Sequence, residues 1–516
     1  MTLVIDLLDY GLAREPHRIC VKDRNQSFTH EEVRDLSHRI AHALRAAGLS
    51  RGARVGFFTP NCALAMVAMI GVFRAGAVWL PVHPRNMIGE NSEFLADNRC
   101  ELLFYHGRTE AEARHFASAV PSLKAIIRLD EHEGGEGLVS WASGYPNRFD
   151  DDRSTPEDIA WIKGTGGTTG RPKSVLISNR SAVTLFQTFH WCLPLPEGHV
   201  TLAAAPISHG AGTVALCALC NGGTLVLIER AEATEVLDAL VDHDITTLFL
   251  PPTVIYAILA LPDIRSRKFP HLRYLIYSAA PIAADRLREA LDIFGPVLAQ
   301  VYGQTEAPMM LTFLSPADHV VSDEAQFRKR LTSCGRATPF AQVELMDDEG
   351  RILGPGEVGE VVVRSELVMK GYRGDPEETA KVSQFGWHHT GDVGMRDADG
   401  YFYIVDRKKD MIISGGFNIF PSEIEQVLWA HPAVLDCAVV GVPDEKWGEA
   451  VTAVVELKPG AVAEGSALQA FCRERLGGMK TPKRVEVWPR LPKSSVGKVL
   501  RKEIRERFWE GQSRRV

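Results

Sequence analysis

A glycine- and threonine-rich segment, residues 164–174, has the composition that best suits phosphate chemistry. It reads GTGGTTGRPKS, with a lysine at Lys173. Glycines let a loop turn tightly and direct backbone N–H groups inward, and hydroxyls and a lysine add donors for the oxyanions of a polyphosphate. Pro172 stands where a Walker A motif needs glycine, and no acidic residue closes a Rossmann unit. We predict a phosphate-binding loop; a flexible surface loop is the alternative that this segment alone leaves open.

Two further clusters carry residue types that suit the rest of a nucleotide. Residues 300–306 read QVYGQTE and follow an apolar run typical of a strand, and α/β sheets bind ligands at the carboxyl ends of strands. At such a position Tyr302 can pack against a base, and Thr305 can donate to a phosphate. Glu306 can hold a magnesium ion. Asp392, which ends the run WHHTGD, suits the two hydroxyls of a ribose, and Arg407 suits the sugar or a phosphate.

A fourth cluster reads PKSSVGKVLR over residues 492–501. Its Lys498 directly follows Gly497, and a lysine held by a glycine turn is a mobile cation that can be brought to developing negative charge. A solvated basic segment is the alternative for this cluster taken alone.

Two pairs of metal-ligating residue types are weaker candidates. His388 and His389 are adjacent, so their side chains point in different directions, and we expect one to be packed and one exposed. Cys217 and Cys220 lack a second cysteine pair at metal-ligand spacing, which favours buried core over a metal or redox site. The nine cysteines are odd in number and irregularly spaced, which predicts reduced thiols and a cytoplasmic protein.

Length and composition limit what these clusters can belong to. A chain of 516 residues is too long to fold around one compact core, so two or more domains are expected. Hydrophobic residues make up 45% and charged residues 24%, as in a globular protein, and the net charge of −7 argues against nucleic acid as a partner.

Residues 210–228 contain no charged residue or histidine, but Asn-Gly-Gly at 221–223 interrupts them, so we predict buried core and no transmembrane helix. Acidic residues near the N-terminus predict a folded segment there rather than a signal peptide.

The pattern of apolar residues predicts a large α/β domain followed by a smaller one. Thr29 begins a capping box, and a helical pattern then runs to Gly48. Helices alternate with predicted strands, which indicates a mostly parallel sheet. The predicted strands are residues 54–58, 78–82, 224–228, 247–250 and 274–277. From residue 342, short strands and glycine turns predict a small β-rich subdomain. Beyond the charged run at 406–410 we predict a compact α+β domain whose first helix begins at Pro421 with a capping box.

The order and spacing of the four clusters together resemble the adenylate-forming superfamily, which contains acyl-CoA synthetases, adenylation domains of peptide synthetases and beetle luciferases. The resemblance extends from about Ser27 to Arg501. Residues 406–425, which read DRKKDMIISGGFNIFPSEIE, are most similar to the acyl-CoA synthetase branch. The resemblance implies a large α/β domain over residues 1–407 and a mobile α+β domain over residues 408–516, with a hinge at Lys409.

The resemblance also implies roles for individual residues. Those that would contact ATP are Thr165, Gly166, Gly167, Thr168, Thr169, Gly170, Lys173, Ala279, Ala280, Pro281, Gln300, Val301, Tyr302, Gly303, Thr305, Asp392, Arg407 and Lys498. Three residues would act in catalysis: Lys498 as a bridge between the carboxylate and the α-phosphate, His209 as the gate of the acyl pocket, and Glu306 as the Mg²⁺ ligand. Thr165 is a further candidate Mg²⁺ ligand. Those that would contact coenzyme A are Ser414, Gly415 and Gly416.

The implied reaction has two steps at one site. The carboxylate of an acid attacks the α-phosphorus of ATP to give an acyl-adenylate and pyrophosphate, and the thiol of CoA then takes the acyl group and releases AMP. Two anions approach each other in the first step, so Lys498 and Mg²⁺ would neutralise their repulsion. Rotation of the small domain would then withdraw Lys498 and bring in the glycine loop at 415–416.

Two positions of the phosphate loop depart from the family pattern. Gly166 stands where a Ser or Thr is usual, and Ser174 stands where a Gly is usual. The missing hydroxyl removes at most one phosphate contact, and the hydroxyls of Thr165, Thr168 and Thr169 remain. We therefore expect activity to be retained.

The segments expected to line the acyl pocket favour an apolar acid. Residues 206–216 read PISHGAGTVAL and hold no acidic residue for the ammonium group of an amino acid, whose unpaired burial would be costly. Residues 246–256, 274–281 and 307–311 hold no Arg or Lys for a second carboxylate. We therefore expect a fatty or an aromatic acid. A fatty acid substrate would place the protein in fatty acid metabolism.

Two other functions stay open at this point. One is an acyl-adenylate enzyme that loads a carrier protein or another nucleophile instead of CoA. The other is a binding relative without activity, against which the retention of Glu306, Asp392, Arg407 and Lys498 argues. A homodimer is compatible with the sequence.

Overall fold

Three β-sheets, of thirteen, seven and five strands, organise the part of the chain that the structure describes. The computed structural model describes residues 2–131, 135–150, 154–165, 173–280, 282–444, 446–493 and 499–510. Four short 3-10 helices, Gly107–Thr109, Ile264–Ser266, Ala317–His319 and Lys408–Asp410, connect longer elements.

The first third of the chain alternates strands and helices. Its elements are α1 (Val4–Arg14), β1 (Ile19–Lys22), β2 (Ser27–Thr29), α2 (His30–Ala46), β3 (Arg54–Phe58), α3 (Ala63–Arg74), β4 (Val78–Val82), α4 (Ile88–Asp97), β5 (Leu102–Tyr105), α5 (Glu110–Ala119), β6 (Ala125–Arg128), α6 (Leu138–Ala142) and β7 (Ile159–Thr165). The predicted capping box is present, since Thr29 accepts from the backbone N–H of Glu32 and Glu32 accepts from that of Thr29.

The alternation continues through the middle of the chain. Its elements are β8 (Lys173–Ser178), α7 (Asn179–Cys192), β9 (Val200–Ala203), α8 (Gly210–Cys220), β10 (Thr224–Leu227), α9 (Ala233–Asp242), β11 (Thr247–Leu250), α10 (Pro252–Leu259), β12 (Tyr274–Tyr277), α11 (Ala284–Phe294), β13 (Leu298–Tyr302), β14 (Thr312–Leu314), α12 (Glu324–Leu331) and β15 (Gly335–Ala337). The uncharged run at 210–228 folds as predicted, into a buried helix, a turn and a short strand. No helix among the described residues is long and apolar enough to span a membrane.

The remaining elements are mostly strands. They are β16 (Gln342–Met346), β17 (Val358–Arg364), β18 (Gly371–Tyr372), α13 (Pro376–Lys381), β19 (His388–Arg396), β20 (Tyr401–Arg407), β21 (Ile412–Ser414), β22 (Phe417–Ile419), α14 (Pro421–Trp429), β23 (Val434–Asp444), β24 (Gly448–Leu457), α15 (Gly465–Lys480), β25 (Arg484–Val487) and α16 (Arg501–Trp509).

The thirteen-stranded sheet changes from parallel to antiparallel along its order, β16-β17-β19-β20-β15-β14-β13-β12-β11-β9-β10-β1-β2. The strands from β1 to β13 pair in parallel, which confirms the predicted parallel α/β core. From β13 to β16 every pair is antiparallel. Strands β16, β17, β19 and β20, which belong to the predicted β-rich subdomain, therefore extend this sheet instead of forming one of their own.

The seven-stranded sheet, in the order β18-β8-β7-β4-β3-β5-β6, carries the candidate phosphate loop. Its strands from β7 to β6 are parallel, whereas β8 runs antiparallel to β7. The register places Thr165 opposite Lys173 and so brings together the two ends of residues 166–172. Helices α3 and α8 lie in the core shared with the larger sheet and are buried on nearly every side, as helices apolar all round must be.

The five-stranded sheet, β22-β21-β24-β23 with β25 beside β24, holds the last hundred residues together. Helix α14 begins at Pro421 as predicted, but the predicted capping box is wrong. The backbone N–H of Ser422 instead donates to Asp406 Oδ2 at 2.7 Å, and its hydroxyl donates to the carbonyl of Val405. The helix is therefore capped from the end of β20, a partner distant in sequence that no local pattern reveals.

Arg501 ties α16 to the same place. It donates to Asp406 Oδ1 at 3.1 Å, to Asp410 Oδ2 at 3.4 Å and to both carboxylate oxygens of Glu425. Asp406 is 5% exposed and Glu425 is 2% exposed, so two buried carboxylates share one cation. Removing that cation would leave buried charge uncompensated.

Arg501→Ala is expected to lower the free energy of unfolding by about 3 kcal/mol, because it leaves Asp406 and Glu425 buried without their cation. Urea denaturation followed by tryptophan fluorescence and circular dichroism measures the change. Arg473→Ala, at an exposed position of α15, is the control and should change stability by less than about 0.5 kcal/mol. Equal effects of the two substitutions would contradict this account of the Arg501 network.

Candidate active site

The buried carboxylate of Asp392 is the centre of the second and third sequence clusters. Tyr302 Oη donates to Asp392 Oδ2 at 2.6 Å, and Arg407 Nε donates to Oδ1 at 2.7 Å. Asp392 and Arg407 face each other across β19 and β20, whereas Tyr302 ends β13. Burial and the neighbouring Asp392 raise the pKa of Tyr302 well above its usual value, so its hydroxyl remains a donor.

The edge of the sheet beside Tyr302 is shaped by β12 and β13. Tyr277 and Gln300 are paired in register, and Tyr277 Oη donates to Gln300 Oε1 at 3.2 Å. Ala279 follows β12 with a φ of 75°, a left-handed conformation that costs a non-glycine residue about 1–2 kcal/mol. Such strain is typical of functional sites. Ala280 comes next, and the predicted adenine contact Pro281 lies outside the described residues.

A close backbone approach explains the glycine of the QVYGQTE cluster. A Cβ atom on Gly303 would lie 2.5 Å from the backbone nitrogen of Met309, so only glycine fits there. Val301 is buried in the core, 1% exposed, and Thr305 precedes Glu306 in the loop that follows. Val301 thus fixes the strand, while the side chains on either side of it line the site.

The two ends of the glycine-rich segment lie beside Glu306. Tyr372 Oη donates to Glu306 Oε1 at 2.8 Å, and Lys173 Nζ lies 4.9 Å from the centre of the Tyr372 ring. Lys173 also donates to Glu378 at 2.5 Å, which lowers the pKa of Glu378 to about 2. Thr165 is paired with Lys173. The predicted contacts Gly166, Gly167, Thr168, Thr169 and Gly170 lie outside the described residues.

These residues fit a magnesium ion. Mg²⁺ is bound by one or two carboxylates together with substrate phosphates and water. Glu306 supplies one carboxylate and Thr165 one hydroxyl near the ends of the predicted phosphate loop. Among the described residues no group of three or more His, Cys, Asp or Glu could hold a metal ion by itself.

His209 begins helix α8, as the N-cap residue. Its Nδ1 lies 2.9 Å from Ser208 Oγ, and its ring centre lies 5.0 Å from that of His83. His209 is exposed at the start of the helix, with its ring edge-on to that of His83. Desolvation, followed by the charges of His83 and Lys163, lowers the pKa of His209 to about 3, so the ring is neutral at pH 7.

Lys163 is a residue of this region that the sequence reasoning missed. Its Nζ lies 3.3 Å from Thr213 Oγ1, and 5.1 and 5.6 Å from the ring centres of Trp79 and Trp161. Burial lowers its pKa to about 8, which leaves it mostly protonated at pH 7. The segments expected to line the acyl pocket do lack Arg and Lys. Strand β7, however, places Lys163 against Thr213 in one of them, residues 206–216. A lysine within the apolar strand IAWIKGT was the available signal.

The hairpin between β21 and β22 contains the predicted CoA residues Ser414, Gly415 and Gly416. The N–H of Gly415 donates to the carbonyl of Trp447 at 2.8 Å, and a Cβ on Gly415 would lie 2.7 Å from the indole ring. Both glycines have a positive φ, of 60° and 83°. The Nζ atoms of Lys446 and Lys483 lie 4.9 and 5.3 Å from the Trp447 ring centre. Sequence reasoning missed this aromatic and basic cluster.

The two adjacent histidines are both largely enclosed, so the expectation that one is exposed is wrong. His388 is 4% exposed, and its Nε2 lies 2.9 Å from Gln304 Nε2. The side chain of His389 is 10% exposed, and its Nδ1 lies 3.2 Å from Glu360 Oε2. The partner of His389 comes from the neighbouring strand β17, which its own segment does not reveal.

The remaining predicted residues are Lys498, the hinge residue Lys409 and the cysteines. Lys498 lies outside the described residues, which resume at Val499, opposite Lys493 in an isolated bridge. The predicted hinge residue Lys409 is exposed in the 3-10 helix that follows β20. All nine cysteines are free thiols, and Cys217 and Cys220 are buried in α8, as predicted for core residues.

Comparison with known proteins agrees with this geometry. Residues 8–373 match the model of the AMP-binding enzymes, and residues 423–498 match the model of the AMP-binding enzyme C-terminal domain. The chain belongs to this family, the adenylate-forming superfamily, and its class is that of the AMP-forming acid–thiol ligases. The two-part α/β and α+β fold is that of the family.

Individual relatives are similar over nearly the whole chain. The medium/long-chain-fatty-acid–CoA ligase FadD8 of Mycobacterium tuberculosis is 37% identical over 507 residues, covering 95% of this chain and 87% of the relative. A feruloyl-CoA synthase of Amycolatopsis sp is 36% identical over 499 residues, 96% of each chain. The solved structure of the amide bond synthetase McbA from Marinactinospora thermotolerans is 31% identical, with a TM-score of 0.88 over 98% of this chain and 100% of that one.

Tyr302→Phe is expected to lower the free energy of unfolding by about 1.5–3 kcal/mol, because it removes a donor to a buried carboxylate. Tyr274→Phe is the matched control, since that hydroxyl donates to the neutral carbonyl of Pro194 at 3.2 Å, which is worth about 1 kcal/mol. Chemical denaturation of both variants measures the difference. A smaller effect at Tyr302 than at Tyr274 would contradict the importance of the Asp392 contact.

Proposed function

We propose that this ligase activates an apolar carboxylic acid, fatty or aromatic, with ATP and transfers the acyl group to CoA. The first step yields an acyl-adenylate and pyrophosphate, and the second yields the thioester and AMP. The observation that carries the proposal is the Tyr302–Asp392–Arg407 cluster around the buried carboxylate of Asp392. Glu306, four residues after Tyr302, and the ends of the glycine-rich segment would complete the same site.

Each part of ATP would bind the residues whose charge and hydrogen-bonding groups complement it. The carboxylate of Asp392 can accept from ribose hydroxyls, and Arg407 can donate to the sugar or a phosphate. The donors of residues 165–173 suit the terminal phosphates. Glu306 and Thr165 would hold Mg²⁺, which supplies charge neutralisation when it is bound. The adenine would lie at the edge formed by Ala279 and the end of β13.

The catalytic cation would be Lys498, delivered by the C-terminal part of the chain. A carboxylate that attacks the α-phosphorus brings two anions together, and a nearby ammonium group stabilises the charge that develops. We place the domain boundary between residues 407 and 408 and the hinge at Lys409. Its exposure in a short 3-10 helix between β20 and β21 supports a flexible connection there.

Coenzyme A would bind beside the glycine hairpin at Gly415 and Gly416. Small residues leave room for a narrow chain such as pantetheine, and the Trp447 ring offers a face on which an adenine can stack. Lys446 and Lys483 lie within 5.3 Å of the centre of that ring and suit the phosphates of CoA.

The acid would occupy the region that begins at His209 and α8. This helix is buried and apolar, which suits a fatty or an aromatic chain. FadD8 is named for medium- and long-chain fatty acids and the Amycolatopsis relative for feruloyl-CoA, so both acid types occur among relatives. McbA is named an amide bond synthetase, which supports another nucleophile as the alternative acceptor; a carrier protein remains a further one.

The direct test measures pyrophosphate release from ATP and Mg²⁺ with a panel of fatty and aromatic acids, each with and without CoA. Thioester and AMP that form only when CoA is present would establish the proposed acceptor. Pyrophosphate release without a thioester would contradict it and point to a carrier protein or an amine.

Lys498→Ala is expected to lower acid-dependent pyrophosphate release at least about 100-fold, because the cation opposite the developing charge is lost. ATP binding, measured by calorimetry, should be largely kept. Lys502→Ala, four residues further along in exposed α16, is the control and should retain activity. Unchanged pyrophosphate release in the Lys498 variant would refute the assigned role.

A further inference from the structure

A lysine without a carboxylate partner lies against the acyl region of the site. Lys163 Nζ contacts only the Thr213 hydroxyl, at 3.3 Å, and the faces of two indole rings among the described residues. Thr213 belongs to α8, whose N-cap residue is His209. Lys163 is half-buried.

The surroundings of Lys163 are rich in donors and poor in acceptors. Trp79, whose ring lies under the ammonium group, is 1% exposed, and its Nε1–H has no hydrogen-bond partner among the described residues. His83, in ring contact with His209, is 4% exposed, and its Nε2 likewise lacks a partner in that part of the chain. Buried polar groups in native proteins are nearly always paired, so the unpaired N–H groups of Trp79 and His83 leave this region with more donors than acceptors.

The position of Lys163 favours the acid over the phosphates of ATP as that ligand. Lys163 comes two residues before Thr165 on β7, which is about 7 Å along the strand from the phosphate loop. Its contact residue Thr213 lies on the helix of the acyl pocket, whereas Lys173 already supplies a lysine at the end of the loop. A second loop lysine would have no reason to be packed against α8.

We propose that the acid substrate carries, on an otherwise apolar skeleton, a second carboxylate remote from the carboxylate that is activated, and that Lys163 binds this group. The proposal rests on the proposed function, because it specifies the acid that the same site activates. The ammonium group would distinguish acids that carry this acceptor from those that do not.

Matched pairs of acids test this preference. Octanoate is compared with suberate, and cinnamate with its para-carboxy derivative, by pyrophosphate release and by calorimetric binding to the wild-type protein. The member with the second carboxylate is expected to have the higher kcat/KM and the tighter binding in at least one pair. A preference for the parent acid in both pairs would overturn the proposal.

Lys163→Met keeps the length of the side chain without its charge, and Lys163→Arg keeps the charge. In the pair that shows the preference, Lys163→Met is expected to lower the kcat/KM ratio of dicarboxylate to parent at least about tenfold, as loss of a charge-assisted hydrogen bond does. Lys163→Arg should retain most of the ratio, and so should Lys268→Met, at an exposed lysine outside the site. Lys163→Gln provides a second neutral variant if Lys163→Met does not fold.

The outcomes separate this inference from the function on which it rests. An unchanged ratio in the neutral variants, with acids still activated, would overturn the role of Lys163 and leave the ligase intact. A raised KM for ATP with every acid alike would assign Lys163 to the phosphates and also overturn it. Absence of pyrophosphate release with all acids would refute the proposed function, while the calorimetric preference and its loss in Lys163→Met would still decide the inference.

Discussion

A buried carboxylate must have its oxygens paired, and in this protein that requirement acts on Asp392. A carboxylate that is 3% exposed would cost several kcal/mol if it lost its partners. Its partners come from β13 and β20, and three strands, β20, β15 and β14, stand between β19 and β13 in the sheet order. The antiparallel end of the sheet therefore has to curl until Tyr302 reaches Asp392. That curl brings Asp392 and Arg407, the groups proposed to bind the ribose, to the edge where the parallel strands end.

The same strand connects this centre to the C-terminal part of the chain. Asp406 and Arg407 are neighbours in β20 and so point to opposite faces. Arg407 pairs with Asp392 in the site, while Asp406 accepts from Arg501 and from the backbone of Ser422. A rotation about Lys409, which the family implies, would separate Asp406 from Arg501 and Ser422. The arrangement seen here is thus held by contacts that a second arrangement of the domains would have to replace.

The sequence predicted best those features that local patterns encode. The alternation of strands and helices, the Thr29 capping box and the Asn-Gly-Gly break all depend on residues close together in the chain. The clusters around Tyr302 and Asp392 were found because their residue types and order are specific in combination. Contacts such as Tyr372 with Glu306, or Trp447 with Gly415, depend instead on strands that are far apart in sequence. For the same reason the first turn of α14 could not be assigned its partner in β20.

Lys163 was missed for a different reason, because it directly precedes the recognised segment 164–174. The acyl pocket was sought only in the segments on the far side of the phosphate loop, although β7 enters that loop from the near side. Lys163 and Thr165 share one face of β7, and the register with β8 places Thr165 opposite Lys173. A slip of one residue would turn both side chains to the other face of the sheet. One strand register therefore sets the phosphate loop and the cation of the acyl region together, so selection that maintains nucleotide binding also maintains the position of Lys163.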